Sequence, residues 1–534
     1  MKSSLQFSIV STATLLLSLQ VSQAEAVTVN NQSFEQWCLQ KNLLPSETKR
    51  TIEILIEKAG TQDCKLANIK LNNLSKLDLG GYGISDVKPF ASLTNLTSLV
   101  LYFNVISDIK PLGNLTKLTE LYLGSNQISD VNALASLTNL TSLNLSENTI
   151  RDIKPLGSLT KLTWLFLGSN QISDIKALAS LTNLTTLGLN DNPIIDIKIL
   201  AGLTKLTFLS LRENPISDIS PLSSLINLTE LYLHSNKISN IKPLADLTKL
   251  ATLSLVSNQI SDIASLGGLT NLIRLNLDRN QIVDIKPLAS LTKLTNLYLN
   301  RNQIADIKPL MSLTKLTEVG LANNKINEIS PLARLTNLKR LDLSGLQFEF
   351  KSLDDLSAFP EYNQIRDVAD LAGLVNLTYL NLSGNKISNV APLASLTNLT
   401  NLSLSSNKIS NIRPLANLTK LTNLDLPFNQ ISDVKSLEGL TNLIYLSLSF
   451  NKVSDIKPLA SLTNLTELQL NHNQVIDIKP LASLTSLIDL TLSSNQIVDV
   501  RPLAGLTKLK VLYLDSNQIN DKSCPIKPES ICQY

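Results

Sequence analysis

The sequence predicts an α/β solenoid, because three features recur along most of its 534 residues. An asparagine returns every 22 residues, Leu-x-Leu precedes nearly every one of these asparagines, and Ile or Val follows two residues later. A fixed period of this length is typical of stacked repeats, in which each coil buries its apolar side against the next. The asparagines in step are Asn104, Asn126, Asn148, Asn170, Asn192, Asn214, Asn236, Asn258, Asn280, Asn302 and Asn324, and then Asn363, Asn385, Asn407, Asn429, Asn451, Asn473, Asn495 and Asn517.

Each repeat follows the pattern Leu-x-x-Leu-x-Leu-x-x-Asn, which is that of a leucine-rich repeat. In residues 115–130, Leu121 and Leu123 lie two apart and therefore share the buried face of a strand. Asn126 follows at the turn, where a buried amide without partners would cost roughly 1–3 kcal/mol, so we expect it to bond backbone groups of its own and the adjacent coil. The prediction is a curved leucine-rich-repeat solenoid of about twenty coils, with a concave parallel β-sheet and short helical or 3-10 turns on the convex side.

A recurrent Asp or Asn precedes these predicted turns. Asp130 is one example, and the segment Ile109-Lys-Pro111-Leu112 shows the Pro that follows in many coils. Asp suits the cap of a short helical turn, and Pro suits its first residues. A metal-binding stripe is the alternative, and turn capping is the favoured interpretation.

The amino-terminal 70 residues do not follow the repeat. Residues 1–26 have one early charge, a short apolar run and a small-x-small site, which predict a secretory signal peptide. Residues 27–70 predict a helical cap, with a short helix near Ser33 and a second from Ser46 that stops at Gly60. Such a cap would cover the apolar end of the first coil.

The repeats span residues 71–522, with an insertion at 345–361 between two halves of one coil. The insertion carries Phe348, Phe350 and Phe359. It is either a partner-contacting flap or a scar of repeat duplication with its rings packed on the edge, and the second interpretation is favoured. Residues 523–534 predict a closing carboxy-terminal cap.

Four cysteines lie outside the repeats, with Cys38 and Cys64 near one end and Cys524 and Cys532 near the other. Three pairings are possible in principle. The solenoid holds its ends far apart, so pairing within each cap is favoured. An even count after a signal sequence indicates an oxidising compartment. A metal site is the weaker alternative, because the cysteines are not in CxxC pairs.

Charge and motifs argue against several functions. The net charge is +3 and basic residues form no runs, so nucleic-acid binding is not expected. Phosphate-loop, HExxH and GxSxG motifs are missing from the sequence, and an open sheet has no deep pocket for a catalytic triad. We expect no enzyme activity, no catalytic residues, no cofactor and no metal.

The outward strand positions vary from coil to coil and carry aromatic side chains, which protein interfaces use as anchors. Trp164 and Phe166 lie two apart on one predicted strand and are the strongest candidates. The alternative is that these concave rings stack on each other and simply cover the sheet. The predicted partner-binding residues are Tyr102, Tyr122, Trp164, Phe166, Phe208, Arg212, Tyr232, His234 and Tyr298.

Segments such as Gln127-Ile-Ser-Asp130, and residues 171–176 with 181–185, resemble the internalin family of secreted bacterial leucine-rich-repeat proteins. The resemblance covers roughly residues 71–522 and implies a curved solenoid whose concave face grips another protein. The chain departs from that family in having no immunoglobulin-like domain after the repeats, no wall anchor and cysteines at both ends.

These inferences combine into one predicted function. The chain is expected to be a secreted, periplasmic or cell-surface protein-binding module, monomeric, without stable membrane insertion and with a protein ligand. The alternative is a cell-envelope structural or carbohydrate-contacting repeat protein that uses the Ser, Asn and Tyr side chains of its second half.

Overall fold

A computed structural model describes residues 32–345, 362–521 and 523–534. The chain forms two compact units, Met1–Asn236 and Lys237–Tyr534. The predicted signal peptide (1–26) and most of the predicted insertion (345–361) lie outside the described residues. Both units are built from the predicted leucine-rich-repeat coil.

The first unit begins with three helices, α1 (Phe34–Gln40), α2 (Ser46–Ala59) and α3 (Cys64–Asn72). Helix α2 stops where predicted, at Gly60, whose φ of 62° suits a residue without Cβ. Helix α3 continues two residues beyond the predicted cap boundary at residue 70. Thr51 Oγ1 donates to the carbonyl oxygen of Asp86 at 2.8 Å, so the cap docks on the first coil.

The strands of the first unit are three residues long and pair in parallel, each with the next, in a 22-residue register such as Leu121↔Leu143. They are β1 (Lys76–Asp78), β2 (Ser98–Val100), β3 (Glu120–Tyr122), β4 (Ser142–Asn144), β5 (Trp164–Phe166), β6 (Thr186–Gly188), β7 (Phe208–Ser210) and β8 (Glu230–Tyr232). Its 3-10 helices are Lys41–Leu43, Lys88–Phe90, Lys110–Asn114, Asn132–Ser136, Lys154–Ser158, Lys176–Ser180, Lys198–Gly202 and Ser220–Ser224.

The second unit repeats the arrangement. Its strands are β9 (Thr252–Ser254), β10 (Arg274–Asn276), β11 (Asn296–Tyr298), β12 (Glu318–Gly320), β13 (Arg340–Asp342), β14 (Tyr379–Asn381), β15 (Asn401–Ser403), β16 (Asn423–Asp425), β17 (Tyr445–Ser447), β18 (Glu467–Gln469), β19 (Asp489–Thr491), β20 (Val511–Tyr513) and β21 (Cys532–Gln533). Its 3-10 helices are Lys242–Leu244, Ala264–Gly268, Lys286–Ser290, Lys308–Ser312, Ser330–Arg334, Ala369–Leu371, Ala391–Ser395, Arg413–Asn417, Lys435–Leu437, Lys457–Ser461, Lys479–Ser483, Arg501–Gly505 and Glu529–Ile531.

The core of each coil is a set of apolar side chains that are almost completely buried. In the coil of β3 these are Leu118, Leu121, Leu123, Ile128, Val131, Leu134 and Leu137. Fully burying one such side chain stabilises the fold by roughly 1.5–3 kcal/mol, so the core grows with every coil added. The strand face is the opposite side of the strands, where their first and third residues project.

The predicted asparagine ladder is confirmed. Asn126 Nδ2 donates to the carbonyl oxygens of Leu101 and Leu123 at 2.9 and 3.0 Å, and its Oδ1 accepts from the amide of Ile106 at 3.0 Å. Leu101 and Ile106 belong to the preceding coil. Each asparagine therefore ties two coils together through buried backbone groups that would otherwise be unpaired.

Turn capping by aspartate is confirmed with one shift in position. Asp108 Oδ1 accepts from the amide of Lys110 at 3.0 Å, but the residue that flanks the 3-10 helix is Ile109. The carboxylate thus lies one residue before the cap position and bonds the first amide of the turn.

The interrupted coil closes as predicted, because β13 pairs directly with β14. Asn363 Nδ2 donates to the carbonyl oxygens of Leu321 and Leu343 at 2.9 and 3.1 Å. The repeat therefore resumes in register after the insertion. Whether the insertion is a flap or a scar concerns residues outside the described part of the chain.

Both predicted disulfides are present. Cys38 bonds Cys64 with Cα atoms 5.6 Å apart, and Cys524 bonds Cys532 with Cα atoms 5.8 Å apart. Each bond lies within one cap. Disulfides of this kind persist in an oxidising environment.

Candidate functional site

The candidate site lies on the strand face of the first unit and is organised by β5. Leu165 is buried, while Trp164 and Phe166 on either side of it project to the strand face. Both rings are half-buried, because outward side chains of adjacent coils pack on one another.

Five predicted residues form a continuous aromatic row: Tyr122, Trp164, Phe166, Phe208 and Tyr232. Successive ring centroids along the row are 6.0, 4.3, 6.0 and 5.5 Å apart. These spacings lie within or just below the range in which aromatic rings attract one another. The structure therefore joins into one surface the rings that the sequence places on four different strands.

Small residues in the intervening coils make the row continuous. Gly188 on β6 lies under Phe166, and a Cβ added to Gly188 would be 2.5 Å from Cδ1 of that ring. Ser142 on β4 lies beside Tyr122, with 3.3 Å between the two hydroxyl oxygens. Tyr122 can consequently reach across the coil of β4 to Trp164.

Tyr102 lies beyond β2 and lines, together with Tyr122 of the aromatic row, a depression of about 400 Å³ on the same face. Its neighbour Phe103 contacts it edge-on at 5.5 Å and is 65% exposed. The sequence prediction did not include Phe103. The sequence carried a usable signal, because most other coils place a small or polar residue at this position. In the structure the φ of Phe103 is 53°, which is uncommon for a bulky residue.

The two predicted polar residues lie just past the ends of the strands. Arg212 is exposed and His234 is half-buried. Burial, and then the charge of Arg212, lower the pKa of His234, which keeps the imidazole neutral at pH 7. The Nδ1 atom of His234 has no hydrogen-bond partner among the described residues.

Acidic groups outnumber basic ones on this face. Tyr232 donates its hydroxyl proton to Glu230 Oε2 at 2.9 Å, which fixes a carboxylate beside the row. At the outward positions of β1–β8 and of the turn residues after them, the basic residues are Lys76 and Arg212. The acidic ones are Asp78, Glu120, Glu147, Asp191, Glu213 and Glu230.

Tyr298, the remaining predicted residue, is on β11 of the second unit and is not a member of the aromatic row as defined. Its hydroxyl donates to Glu318 Oε2 at 2.5 Å. Burial and this bond raise the pKa of Tyr298. The phenol is therefore held within its own unit by a carboxylate.

Comparison with known proteins identifies the repeat. Residues 94–312, 314–361, 397–439, 441–483 and 485–525 match the family described as leucine rich repeats (2 copies), and residues 374–391 match a single leucine rich repeat. The chain belongs to the leucine-rich-repeat family. Proteins of this family are generally interaction modules without catalytic activity. No curated protein sequence matches the chain.

Solved structures give a more specific placement. The internalin InlF of Listeria monocytogenes is 35% identical, with 64% of this chain and 89% of that chain covered and a TM-score of 0.51. A leucine-rich-repeat protein of Leptospira interrogans is 27% identical over 74% of this chain and 95% of that one, with a TM-score of 0.58. The chain is thus an internalin-like leucine-rich-repeat protein, as the sequence predicted.

A plant structure shares the fold. The leucine-rich-repeat ectodomain of the Arabidopsis thaliana receptor kinase GASSHO1/SCHENGEN3, solved in complex with CASPARIAN STRIP INTEGRITY FACTOR 2, is 25% identical. The match covers 84% of the internalin-like chain and 53% of the receptor chain, with a TM-score of 0.60.

Among residues 32–345, 362–521 and 523–534 of the internalin-like protein, the helices are too short or too polar to span a membrane. In the same described ranges, no group of three or more His, Cys, Asp or Glu side chains is arranged to hold a metal ion.

Proposed function

We propose that this internalin-like protein is a secreted protein-binding module that grips a protein partner on the strand face of its first unit. The aromatic row is the observation that carries the proposal. Its rings are half-buried because they pack on one another and on small residues. This packing restricts their rotamers before binding, which limits the side-chain entropy lost when a partner covers them. Large exposed aromatics near polar groups are the residues that dominate binding energy in protein interfaces.

The other predicted residues surround the row with polar contacts. Arg212 and the neutral His234 offer hydrogen bonds at one end, and Tyr102 extends the aromatic surface at the other. The complex of the Arabidopsis receptor ectodomain with CASPARIAN STRIP INTEGRITY FACTOR 2 supports the proposal, because that ectodomain shares the fold and was solved with its partner bound. We propose no catalysis and no cofactor for this surface.

The compartment is part of the proposal. Two disulfides, one in each cap, require an oxidising environment. With residues 1–26 as a signal peptide, the mature chain would begin at residue 27 and act in the periplasm, at the cell surface or outside the cell. We propose a monomer that binds neither nucleic acid nor membrane.

The test is affinity capture from envelope and extracellular extracts with the oxidised mature chain, residues 27–534. The Trp164→Ala/Phe166→Ala variant removes the centre of the row. A Tyr379→Ala/Tyr445→Ala variant is the matched control, since it removes two rings from the strand face of the second unit. A protein retained by the native chain and by the control, but not by the first variant, is the expected result.

The captured protein is then titrated against each variant. Hot-spot side chains contribute about 2 kcal/mol or more each, so the first variant should bind at least ~30-fold more weakly. Equal capture by all three proteins would contradict the proposal. Retention of envelope polysaccharide that soluble sugar releases would favour the carbohydrate-contacting alternative.

A further inference from the structure

A groove of about 300 Å³ lies on the strand face of the second unit. Its lining is more polar than the aromatic row of the first unit. Strands β16, β17 and β18 and the turns after them form its walls. We name it the Asp425 groove; its lining includes Asp425, Phe428, Ser449, Phe450, Gln469 and Asn471.

One wall of the groove is a stack of rings. Phe428, Phe450 and His472 stack with centroids 4.2 and 4.0 Å apart and planes inclined by 12° and 19°. All three residues precede a ladder asparagine and have φ between 53° and 55°, a conformation uncommon for bulky side chains. The repeat turn fixes this backbone. Phe450 lies between Phe428 and His472, so this wall is a rigid stack whose faces are already paired.

The floor holds a carboxylate without a counter-charge. Asp425 is half-buried, and its Oδ2 accepts from Ser403 Oγ at 2.7 Å. Burial raises the pKa of Asp425, and among the described residues no cation opposes that effect. The buried carboxylates of Asp278 and Asp342 differ, because Arg279 and Arg340 act on them.

The surrounding face also lacks positive charge. At the outward positions of β14–β20 and of the turn residues after them, the described side chains include no Lys or Arg. The charged residues at these positions are all acidic: Asp425, Glu467, Asp489 and Asp515. The whole chain carries a net charge of +3, so this acidic surface is a local property.

A buried hydroxyl lines the same groove without a partner. Ser449 is 6% exposed, and its Oγ makes no hydrogen bond to any described residue. Asp425 pairs in register with Ser447, two residues before Ser449. With a strand spacing of ~4.8 Å and a rise of ~3.3 Å per residue, the Cα atoms of Asp425 and Ser449 are roughly 8 Å apart.

We propose that the Asp425 groove binds the guanidinium group of an arginine side chain in an extended segment of a basic protein. Asp425 is the counter-ion, and the Oγ of Ser449 is a second acceptor. A guanidinium fits better than an ammonium because it donates from several nitrogens in one plane and can bond both acceptors at once. A neutral sugar would leave the carboxylate without a counter-charge.

This site uses the second unit and does not depend on the aromatic row. The probe is a fluorescein-labelled hexa-arginine peptide, titrated by anisotropy against the oxidised mature chain at fixed ionic strength. Hexa-citrulline is the neutral control of nearly equal shape, and hexa-lysine tests the preference for guanidinium. We expect saturable binding of hexa-arginine, about fivefold weaker binding of hexa-lysine and none of hexa-citrulline.

Variants locate the site. Asp425→Asn should weaken hexa-arginine binding at least ~10-fold, and Ser449→Ala about threefold. Asp515→Asn removes the same charge from the same face and should change the affinity less than ~2-fold. The Trp164→Ala/Phe166→Ala variant should bind the peptide as the native chain does, which separates this site from the proposed function.

Three outcomes would overturn the proposal. Equal weakening by Asp425→Asn and Asp515→Asn would mean diffuse attraction to the acidic face. Absence of saturable hexa-arginine binding would mean that the groove takes no guanidinium. A third outcome is binding of chitohexaose that is lost in Ser449→Ala, together with no binding of hexa-arginine. It would mean that the groove is a carbohydrate site. Thermal melts of each variant confirm that it is folded before titration.

Discussion

The strand faces of the two units carry different side chains on the same backbone. In the first unit, β5 presents Trp164 and Phe166 within a continuous aromatic row. In the second, β15 presents Asn401 and Ser403, and Phe428 stacks on Phe450 at the turns after β16 and β17. The core and the asparagine ladder are alike in both, so the repeat supplies stability while the outward positions are free to specify binding.

The hydrogen-bond distances within the asparagine ladder are alike in the two units. Asn170 Nδ2 donates to the carbonyls of Leu145 and Leu167 at 3.0 Å each. Asn407 donates to Leu382 and Leu404, also at 3.0 Å each.

The caps differ between the units in the length of chain that each disulfide closes. Cys38 and Cys64 are 26 residues apart, whereas Cys524 and Cys532 are 8 apart. In the chain-entropy model, removing the first should cost about 3.5 kcal/mol and removing the second about 2.5 kcal/mol. Paired Cys→Ala variants, followed by hydrogen exchange of each cap, test this. A larger loss in the second unit would contradict the order.

The ladder should contribute equally in both units. Asn170→Ala leaves the buried amide of Ile150 unpaired and removes the hydrogen bonds that Asn170 donates to the carbonyls of Leu145 and Leu167. The carbonyl of Leu145 keeps a second donor, the Nδ2 of Asn148. The expected loss is about 3 kcal/mol, and the same for Asn407→Ala. Denaturant unfolding with hydrogen exchange measures both. Gln171→Ala, at an exposed neighbouring position, is the control and should change little. Unequal losses would break the equivalence of the two scaffolds.

Gly188→Ala tests whether the aromatic row depends on its packing. The added methyl would occupy the position of the Phe166 ring and force it off Gly188. We expect a changed near-ultraviolet circular dichroism signal, about 1–2 kcal/mol of destabilisation and weaker partner binding with every aromatic residue retained. Gly202→Ala is the control, because nothing lies within 4 Å of its added Cβ. An unchanged near-ultraviolet circular dichroism signal in Gly188→Ala would contradict the close contact between Gly188 and the Phe166 ring.

Asp425→Asn should stabilise the second unit at neutral pH. Burial raises the pKa of Asp425, so the folded state binds the proton more tightly, and stability falls as pH rises from the unfolded value through the folded one. Asparagine removes this penalty, and a rise in Tm of about 1 °C is expected at pH 7 but not at pH 3.

Asp499→Asn is the opposite case in the same unit. Hydrogen bonds from Arg501 lower the pKa of Asp499 to about 2, so its replacement should lower Tm at neutral pH. Thermal melts at both pH values compare the two variants. A loss of Tm in Asp425→Asn at pH 7 would contradict the unfavourable burial of its carboxylate.

The local features were predictable because each depends on a short stretch of sequence. Helix α2 and its stop at Gly60, the strand of Trp164 and Phe166, and the asparagine turns follow from periods of 3.6 and 2 residues and from turn chemistry. The pairing of the cysteines also followed, since the repeats between the caps separate them.

The half-buried state of the outward side chains was not predictable in the same way. Phe428 and Phe450 occupy a position usually filled by small or polar residues, and their contact arises only when coils are stacked. Tyr122 and Trp164 are 42 residues apart and meet because the coil of β4 presents small side chains between them.

The sequence by itself determined the coil, its core and its ladder, because a 22-residue period repeats the same local choices and each coil buries the same leucines. Only the tertiary structure decided which outward rings touch and which carboxylate lacks a counter-charge. These relations join residues on neighbouring coils, and they depend on side-chain size and direction across the sheet rather than on the order of residues along it.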